Sequence, residues 1–336
     1  AGDYVGIVTE ILGDWKWVKE SFEFKTHYQA LECCHICSAN KAPGELNFAN
    51  FGATAKHREL NQRRTTAEYL DSFAGSPPAL ARLPGFHLDM IVLDYMHIVC
   101  LGVAQFLVGN ALFELADSGR FGAAWGQLRQ LQRWNLQLRL GWFQFKAWCR
   151  RNGHQASQHM FTAAMLSMTN SLDWPMFKGK AHNTMVVLMW LAWVTEAERS
   201  ADDMHQRMRA RALHCLAQCW QEMTTHKTLW LSRSTAKRIH VNGRMFLLCY
   251  RGLAAEACRK KVARWALKPK FHLLDHCLWQ GLQSRRSLAS HWAFGDEHYV
   301  GVIAKIGKKT HIRTSGRRTL QRHMLRVKLR MNRSAS

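Results

Sequence analysis

The sequence predicts a mainly α-helical protein with a small α/β part. Residues 4–12 are rich in Val and Ile and end at Gly13-Asp14, which is typical of a single buried β-strand. From Leu88 onward, apolar residues recur at helical spacing. Residues 38–85 are polar and contain Gly and Pro, so we predict an irregular stretch with one short helix there.

The clearest helix covers residues 203–223. Its apolar residues recur at spacings of three or four: Met204, Met208, Ala212, Cys215, Cys219 and Met223. This pattern predicts one apolar stripe that faces neighbouring helices. Leu136, Leu138 and Leu140, by contrast, alternate with polar residues and indicate a short extended segment.

These patterns divide the chain into five regions. They are the start of the α/β part (residues 1–37), an irregular linker (38–87), a helical domain (88–266), helices that complete the core (267–310) and a basic tail (311–336). A packed interior is expected, because 47% of the residues are hydrophobic and the chain contains 14 Trp and 16 Phe.

The net charge indicates the kind of partner. Lys and Arg outnumber Asp and Glu by 47 to 24, which gives a formal charge of +23. Such an excess favours polyanions, above all nucleic acid, over membrane surfaces or acidic proteins. The apolar stretches at residues 98–113 and 185–194 are too short or too interrupted to span a bilayer, so no membrane partner is expected.

Two short motifs predict a structural zinc site. Cys34 and Cys37 form a Cys-x2-Cys pair, and His272 and His276 stand at i and i+4, where both rings point the same way on a helix. Each pair alone is also common without a metal. Together they complete the four ligands of a tetrahedral Zn2+ site that joins the two ends of the sequence. The other cysteines are scattered and are expected to be reduced thiols.

Two carboxylates are candidate ligands for a harder metal ion. Asp14 follows the predicted strand, where carboxylates are presented to solvent or metal, although Asp after Gly is also an ordinary turn. Glu297 begins a predicted helix that Ser290 would cap, and it is either a metal ligand or a surface acid. The buried side of that helix would consist of Val300, Ile303, Ala304 and Ile306.

The C-terminal region carries no acidic residue after Glu297. Its basic run begins with Lys305, Lys308, Lys309, Arg313, Arg317 and Arg318. A run of this kind is either solvated, flexible chain or a surface that follows a phosphate backbone. Its position directly after Glu297 favours DNA binding.

Taken in order, these motifs resemble the C-terminal two-thirds of DDE transposases of the CACTA group. The resemblance rests on Gly13-Asp14, Cys34-x2-Cys37, Leu93-Asp94-Tyr95-Met96-His97 with Leu101-Gly102, Lys178-Gly179-Lys180-Ala181, Lys268-Pro269-Lys270-Phe271-His272-x3-His276 and Phe294-x2-Glu297-x3-Gly301. Each motif is short, but their order and spacing are fairly specific. The resemblance implies an incomplete ribonuclease-H-like core that is interrupted by a large helical insertion.

The resemblance also implies catalytic roles. Asp14 stands 20 residues before Cys34 and is similar to the second catalytic Asp of the family. Glu297 stands 21 residues after His276 and is similar to the catalytic Glu. The first catalytic Asp would then lie outside this sequence.

A second assignment stays open. Asp94, which forms a further family signature with His97, could be the second acid, with Asp14 the first. The family often has Asn where Val300 stands, and Asp296 is an alternative acid, so a decayed or domesticated copy is allowed.

The implied chemistry is phosphodiester hydrolysis followed by strand transfer. Asp14 and Glu297 would bind Mg2+ or Mn2+, since hard cations choose oxygen ligands, while the Cys2His2 set would hold zinc. The expected protein is a nuclear DNA-binding transposase, in some cases a homo-oligomer, of which this fragment is inactive alone. Two alternatives are a non-catalytic, zinc-stapled nucleic-acid-binding protein and a helical scaffold or interaction protein.

Overall fold

The computed structural model describes residues 7–122, 128–226 and 228–334, without the side chains of residues 296–298, 312 and 329–334. Regular structure in these residues consists of two β-strands, ten α-helices and several short 3-10 helices. The strands are β1 (Ile11–Gly13) and β2 (Ile91–Leu93). The α-helices are α1 (Trp15–Ser21), α2 (Thr66–Asp71), α3 (Ala104–Asp117), α4 (Gln130–Arg151), α5 (Ala181–Val194), α6 (Met204–Thr225), α7 (Arg233–Arg259), α8 (Pro269–Ser284), α9 (Phe294–Gly307) and α10 (Ser315–Ser334).

The predicted class, mainly helical with a small α/β part, is confirmed. β1 and β2 pair in parallel, with Ile11 opposite Ile91 and Gly13 opposite Leu93. Parallel strands need a crossover connection, and here residues 14–90 provide it. The sheet packs on a small apolar core of its own, formed by Ile11, Val18, Phe22, Phe24, Tyr69, Ala81, Leu88 and Ile91.

The first strand is shorter than the sequence predicted. Ile7 and Val8 are exposed and not in a strand, and β1 begins only at Ile11. Residues 4–6 of the predicted strand lie outside the described residues. Val and Ile predict a strand only where a partner strand is available, and β2 is three residues long.

The stretch between the strands is largely irregular, as expected, and contains one α-helix. That helix, α2, begins at a capping box in which Thr65 and Glu68 each accept a hydrogen bond from the other's backbone. The Tyr69 hydroxyl donates to the Phe22 carbonyl over 2.7 Å. This stretch therefore belongs to the α/β part and does not merely link two domains.

The chain leaves β2 through a distorted helix. Residues Met96–Val103 are wound as a π-helix whose backbone leaves helical geometry at Leu101 and Gly102, and α3 follows directly. The combined segment Met96–Asp117 is long and apolar enough to cross a bilayer, contrary to the sequence expectation, but most of it is buried inside the fold. Core helices of globular domains pass the same test.

The helical region packs through stripes that the sequence reveals only in part. In α6, Ala212, Cys215, Cys219 and Met223 are buried as predicted, whereas Met204 at the first turn is exposed. The extended segment predicted from Leu136, Leu138 and Leu140 is wrong, since these residues lie within α4. The buried residues of α4 follow helical spacing instead: Trp134, Gln137, Leu138, Gly141, Phe145, Trp148 and Cys149.

The chain divides into two compact units, Ala1–His291 and Trp292–Ser336. Within the second unit, α9 and α10 contact each other, and Ile306 is buried. Val300, Ile303 and Ala304, predicted on the buried side of α9, are exposed. Ala293, not Ser290, precedes the first turn of α9. The predicted basic tail is a 20-residue helix.

A buried ionic network joins the helices of the first unit. The Glu114 carboxylate on α3 lies 2.9 Å from His205 on α6 and 3.0 Å from Arg209, and it accepts a hydrogen bond from the Trp265 indole over 2.7 Å. His205 also lies 3.0 Å from Glu256 on α7. Burial alone would lower the pKa of His205, but hydrogen bonds and charges from the two glutamates outweigh it and raise the pKa.

We expect His205→Gln to destabilise the protein in a pH-dependent way. Because the folded-state pKa of His205 is raised, its contribution is complete below the ordinary value of 6.5 and disappears as pH rises through the folded-state pKa. The free energy of unfolding in urea should fall by about 2 kcal/mol at pH 5.5 and by clearly less at pH 9. The exposed His159→Gln is the control, and an equal loss at both pH values would contradict the assignment.

Candidate metal centre and the adjoining cleft

Helix α8 presents two histidines on one face. Pro269 starts the helix at its first turn, where a missing N–H costs nothing. From there the i, i+4 spacing of His272 and His276 brings their rings to 4.6 Å and their Nε2 atoms to 3.0 Å. His272 is fully buried and His276 is half-buried.

The Cys-x2-Cys turn lies directly against this face. Its geometry is fixed by the Ile36 amide, which donates to Cys34 Sγ over 3.3 Å. Cys34 Sγ lies 3.5 Å from His276 Nε2, and Cys37 Sγ lies 3.2 Å from His272 Nε2 and 3.3 Å from His276 Nε2. The four ligand atoms all lie within 4.8 Å of one another.

These distances match the edges of a zinc tetrahedron. With Zn–S near 2.3 Å and Zn–N near 2.05 Å, tetrahedral geometry places S and N about 3.6 Å apart and two N atoms about 3.3 Å apart. The cluster of Cys34, Cys37, His272 and His276 could therefore bind a metal ion such as zinc. The predicted pairing of the two distant motifs is confirmed at this level.

The protonation states of the cluster suit a metal. Burial, followed by the charges of His276, His57 and Arg58, holds the pKa of His272 well below 6.5, so the ring is neutral and keeps a lone pair. Burial raises the pKa of the Cys34 thiol, and the neighbouring Cys37 adds to this. Since zinc binds thiolates, metal binding at this site should release protons.

A second set of contacts orients the histidine helix. The His57 ring lies 4.5 Å from the His272 ring, and His57 Nε2 lies 3.2 Å from the Asp275 carboxylate. Arg58 binds the same carboxylate through two nitrogens, at 3.0 and 2.9 Å. Burial would raise the pKa of Asp275, but the His57 hydrogen bond and the Arg58 charge outweigh it. These contacts tie residues 57–58 to the helix between its two ligands.

Beside this centre, a cleft of about 670 Å3 opens at the carboxyl ends of β1 and β2. Asp14 and Asp94 both line it. Each acid directly follows its strand, and because Gly13 pairs with Leu93, the two acids stand side by side at the sheet edge. Asp14 also caps α1, with Oδ1 accepting from the Trp17 amide over 2.8 Å.

Asp94 is engaged by its own turn. Oδ1 accepts from the Met96 amide over 2.9 Å, and Oδ2 lies 2.5 Å from His97 Nδ1. The carboxylate is almost fully buried, while the His97 ring is partly exposed and lines the cleft. This arrangement fixes the orientation of the imidazole, as paired carboxylates do in many sites.

Lys270 connects α8 to the cleft. Its ammonium donates to the carbonyls of His97 and Leu101, at 2.8 and 3.1 Å. Both carbonyls belong to the distorted helix, where the regular hydrogen-bond ladder is interrupted. Burial lowers the pKa of Lys270, against the opposing charges of Asp14 and Asp94.

The remaining predicted residues lie in the second unit. Glu297 falls within α9, but its side chain lies outside the described residues. The six basic residues Lys305, Lys308, Lys309, Arg313, Arg317 and Arg318 are all exposed. They occupy the end of α9, the turn and the start of α10.

Sequence patterns did not indicate several residues that matter here. His57, Arg58 and Asp275 belong to no recurring spacing, and only their contacts reveal them. Lys270 stood within a recognised motif without a role. Gly102 gives the closest signal, because a Gly inside an apolar helical run often marks a close approach. The chain matches no protein-family model, curated protein or solved structure in the comparisons with known proteins.

We expect the purified chain to contain about one zinc ion, and Cys34→Ser or His272→Ala to lose it, because three ligands leave the site open. Elemental analysis measures the zinc, and thermal unfolding with and without a chelator measures its contribution to stability. Cys33→Ser is the matched control, since Cys33 is buried next to Cys34 but is not part of the cluster. Retention of zinc in both ligand variants would rule out this centre.

Gly102→Ala should disturb the link between α8 and the cleft. The added Cβ would lie 2.6 Å from Lys270 Cδ and 3.0 Å from the His97 carbonyl oxygen, and Lys270 is held by two hydrogen bonds. We expect the free energy of unfolding to fall by about 1–3 kcal/mol, and by less when Lys270→Ala is added. Gly301→Ala, whose Cβ meets no described atom within 4 Å, serves as the control. Equal losses in the single and double variants would argue against the clash.

Proposed function

We propose that this chain is part of a DNA-processing protein related to the CACTA transposases, with a ribonuclease-H-like core and a zinc staple. The observation that carries the proposal is the placement of Asp14 and Asp94, side by side at the carboxyl ends of two parallel strands and facing one cleft. In open α/β sheets, ligands bind at this edge.

The Cys2His2 cluster is the second support. Motifs that stand more than 230 residues apart come together in the order that the resemblance implies. The cleft and the cluster also share α8, which supplies Lys270 to one and His272 and His276 to the other. A helical scaffold alone would not require these motifs to converge.

Within this proposal, Asp14 is a ligand for Mg2+ or Mn2+ and Glu297 is another. Both are oxygen ligands, which suit hard octahedral cations. Such ions would activate the attacking water or 3′-hydroxyl and stabilise the leaving oxygen. Asp94 holds the His97 ring in place, because both of its oxygens have partners within the turn.

The charge of the chain supplies the affinity for DNA. The six exposed basic residues of the second unit add to a total formal charge of +23. Contacts between Lys or Arg and phosphates release counterions and position the duplex without reading its sequence. A nuclear location and a homo-oligomer are part of the same proposal.

Mn2+-dependent nicking of duplex DNA tests the catalytic proposal. If Asp14 is the second acid, only an N-terminally extended form cuts DNA, and Asp14→Ala or Glu297→Ala reduces its nicking to background. Asp71→Ala, an exposed acid at the end of α2, is the control and should cut normally. Nicking by the present chain alone, lost in Asp14→Ala, would instead identify Asp14 and Asp94 as the first two acids.

A non-catalytic DNA-binding protein is the second candidate. Among the residues that the structure describes, the Cys/His cluster is the one group whose ligand atoms are close enough to share a metal. This candidate predicts salt-dependent DNA binding that survives Asp14→Ala and Glu297→Ala, with no nicking by either form of the chain.

A further inference from the structure

The cleft beside the metal centre has the size and lining of a site for a small organic ligand. Its volume of about 670 Å3 lies within the range of about 300–1,000 Å3 that is usual for ligand pockets. Most of its wall is apolar, and the few polar groups include Asp14, Asp94 and Lys270. Divalent cations bound by carboxylates at the sheet edge would occupy only a small part of this space.

His35 is an unsatisfied polar group in the wall of this cleft. Its side chain is buried, at 3% exposure, and in the described part of the chain neither ring nitrogen has a hydrogen-bond partner. The ring stacks on Phe24 at 5.2 Å, which fixes its plane. Buried polar atoms are normally paired, so two orphan nitrogens in a cleft wall indicate a ligand that both donates and accepts hydrogen bonds.

The same cleft carries an aromatic pair. Trp15 and Tyr28 line it, with ring centroids 5.8 Å apart in an edge-on arrangement. Both are partly exposed, so their faces can receive a flat ring. Lys16 and Lys268, which are exposed, also line the cleft and supply positive charge for an anionic group.

We propose that this cleft binds one unstacked nucleotide. The base lies against Trp15 and Tyr28 and hydrogen-bonds to His35, and the phosphate lies near Lys16 and Lys268. A nucleotide combines a flat apolar face, a donor–acceptor edge and an anion, which are the three features that the cleft provides. The inference deepens the proposed function and rests on it, since a processed DNA strand would deliver the nucleotide next to Asp14.

Binding of free nucleotides tests this inference without any cleavage reaction. The full chain is titrated calorimetrically, without divalent metal, with each of the four 2′-deoxynucleoside 5′-monophosphates and with 2-deoxyribose 5-phosphate. We expect at least one nucleotide to bind about tenfold or more tightly than the base-free sugar phosphate, because base stacking supplies most of the affinity. Trp15→Ala and His35→Phe should each remove most of this difference.

Matched controls separate binding from folding. Trp17→Ala alters an exposed Trp on the same helix that does not line the cleft, so nucleotide affinity should be unchanged. His35→Phe keeps the ring on Phe24, and its zinc content and circular dichroism must equal those of the parent. If either differs, Tyr28→Ala, which lies away from the zinc ligands in the chain, decides the result.

The inference fails if no nucleotide binds more tightly than the sugar phosphate, or if the affinity is the same in the Trp15 and Tyr28 variants. That result would leave nicking, and hence the proposed function, unaffected. Conversely, base-dependent binding without metal-dependent nicking by any form of the chain would refute the catalytic proposal and retain the nucleotide site.

Discussion

The contact between the Cys-x2-Cys turn and helix α8 is the constraint on which the site depends. It joins residues that are 235 to 242 positions apart, so closing this contact restricts most of the first unit. The Arg58–Asp275 ion pair secures the same contact from the side of the irregular stretch. Removing one partner of a buried ion pair costs about 3–5 kcal/mol, so this pair and the metal cluster support each other.

The same helix also determines the shape of the cleft. Lys270 lies two residues before His272 and holds the distorted helix through the carbonyls of His97 and Leu101. A shift of α8 would therefore move both the zinc ligands and the wall that carries His97. Structural metal and candidate ligand site are mechanically coupled, which explains why a staple should stand beside a cleft with strand-end acids.

Local patterns predicted some elements and misled on others for one physical reason. In α6 the apolar residues lie on a single helical face, so spacing alone located the helix. In α4 the alternation at residues 136–140 is part of a longer helical stripe from Trp134 to Cys149, which a short window does not reveal. Val300 and Ile303 of α9 are apolar yet exposed, because burial depends on a neighbour and not on the residue alone.

The sequence by itself determined the helical class, the charge that favours DNA, and the two ligand pairs, since residue type and short spacing are local properties. Only the tertiary structure decided that these pairs meet, that Asp14 and Asp94 stand side by side, and that His57, Arg58 and Asp275 secure the helix between its ligands. These are contacts between segments far apart in the chain. They follow from strand register and helix packing, which no local pattern encodes.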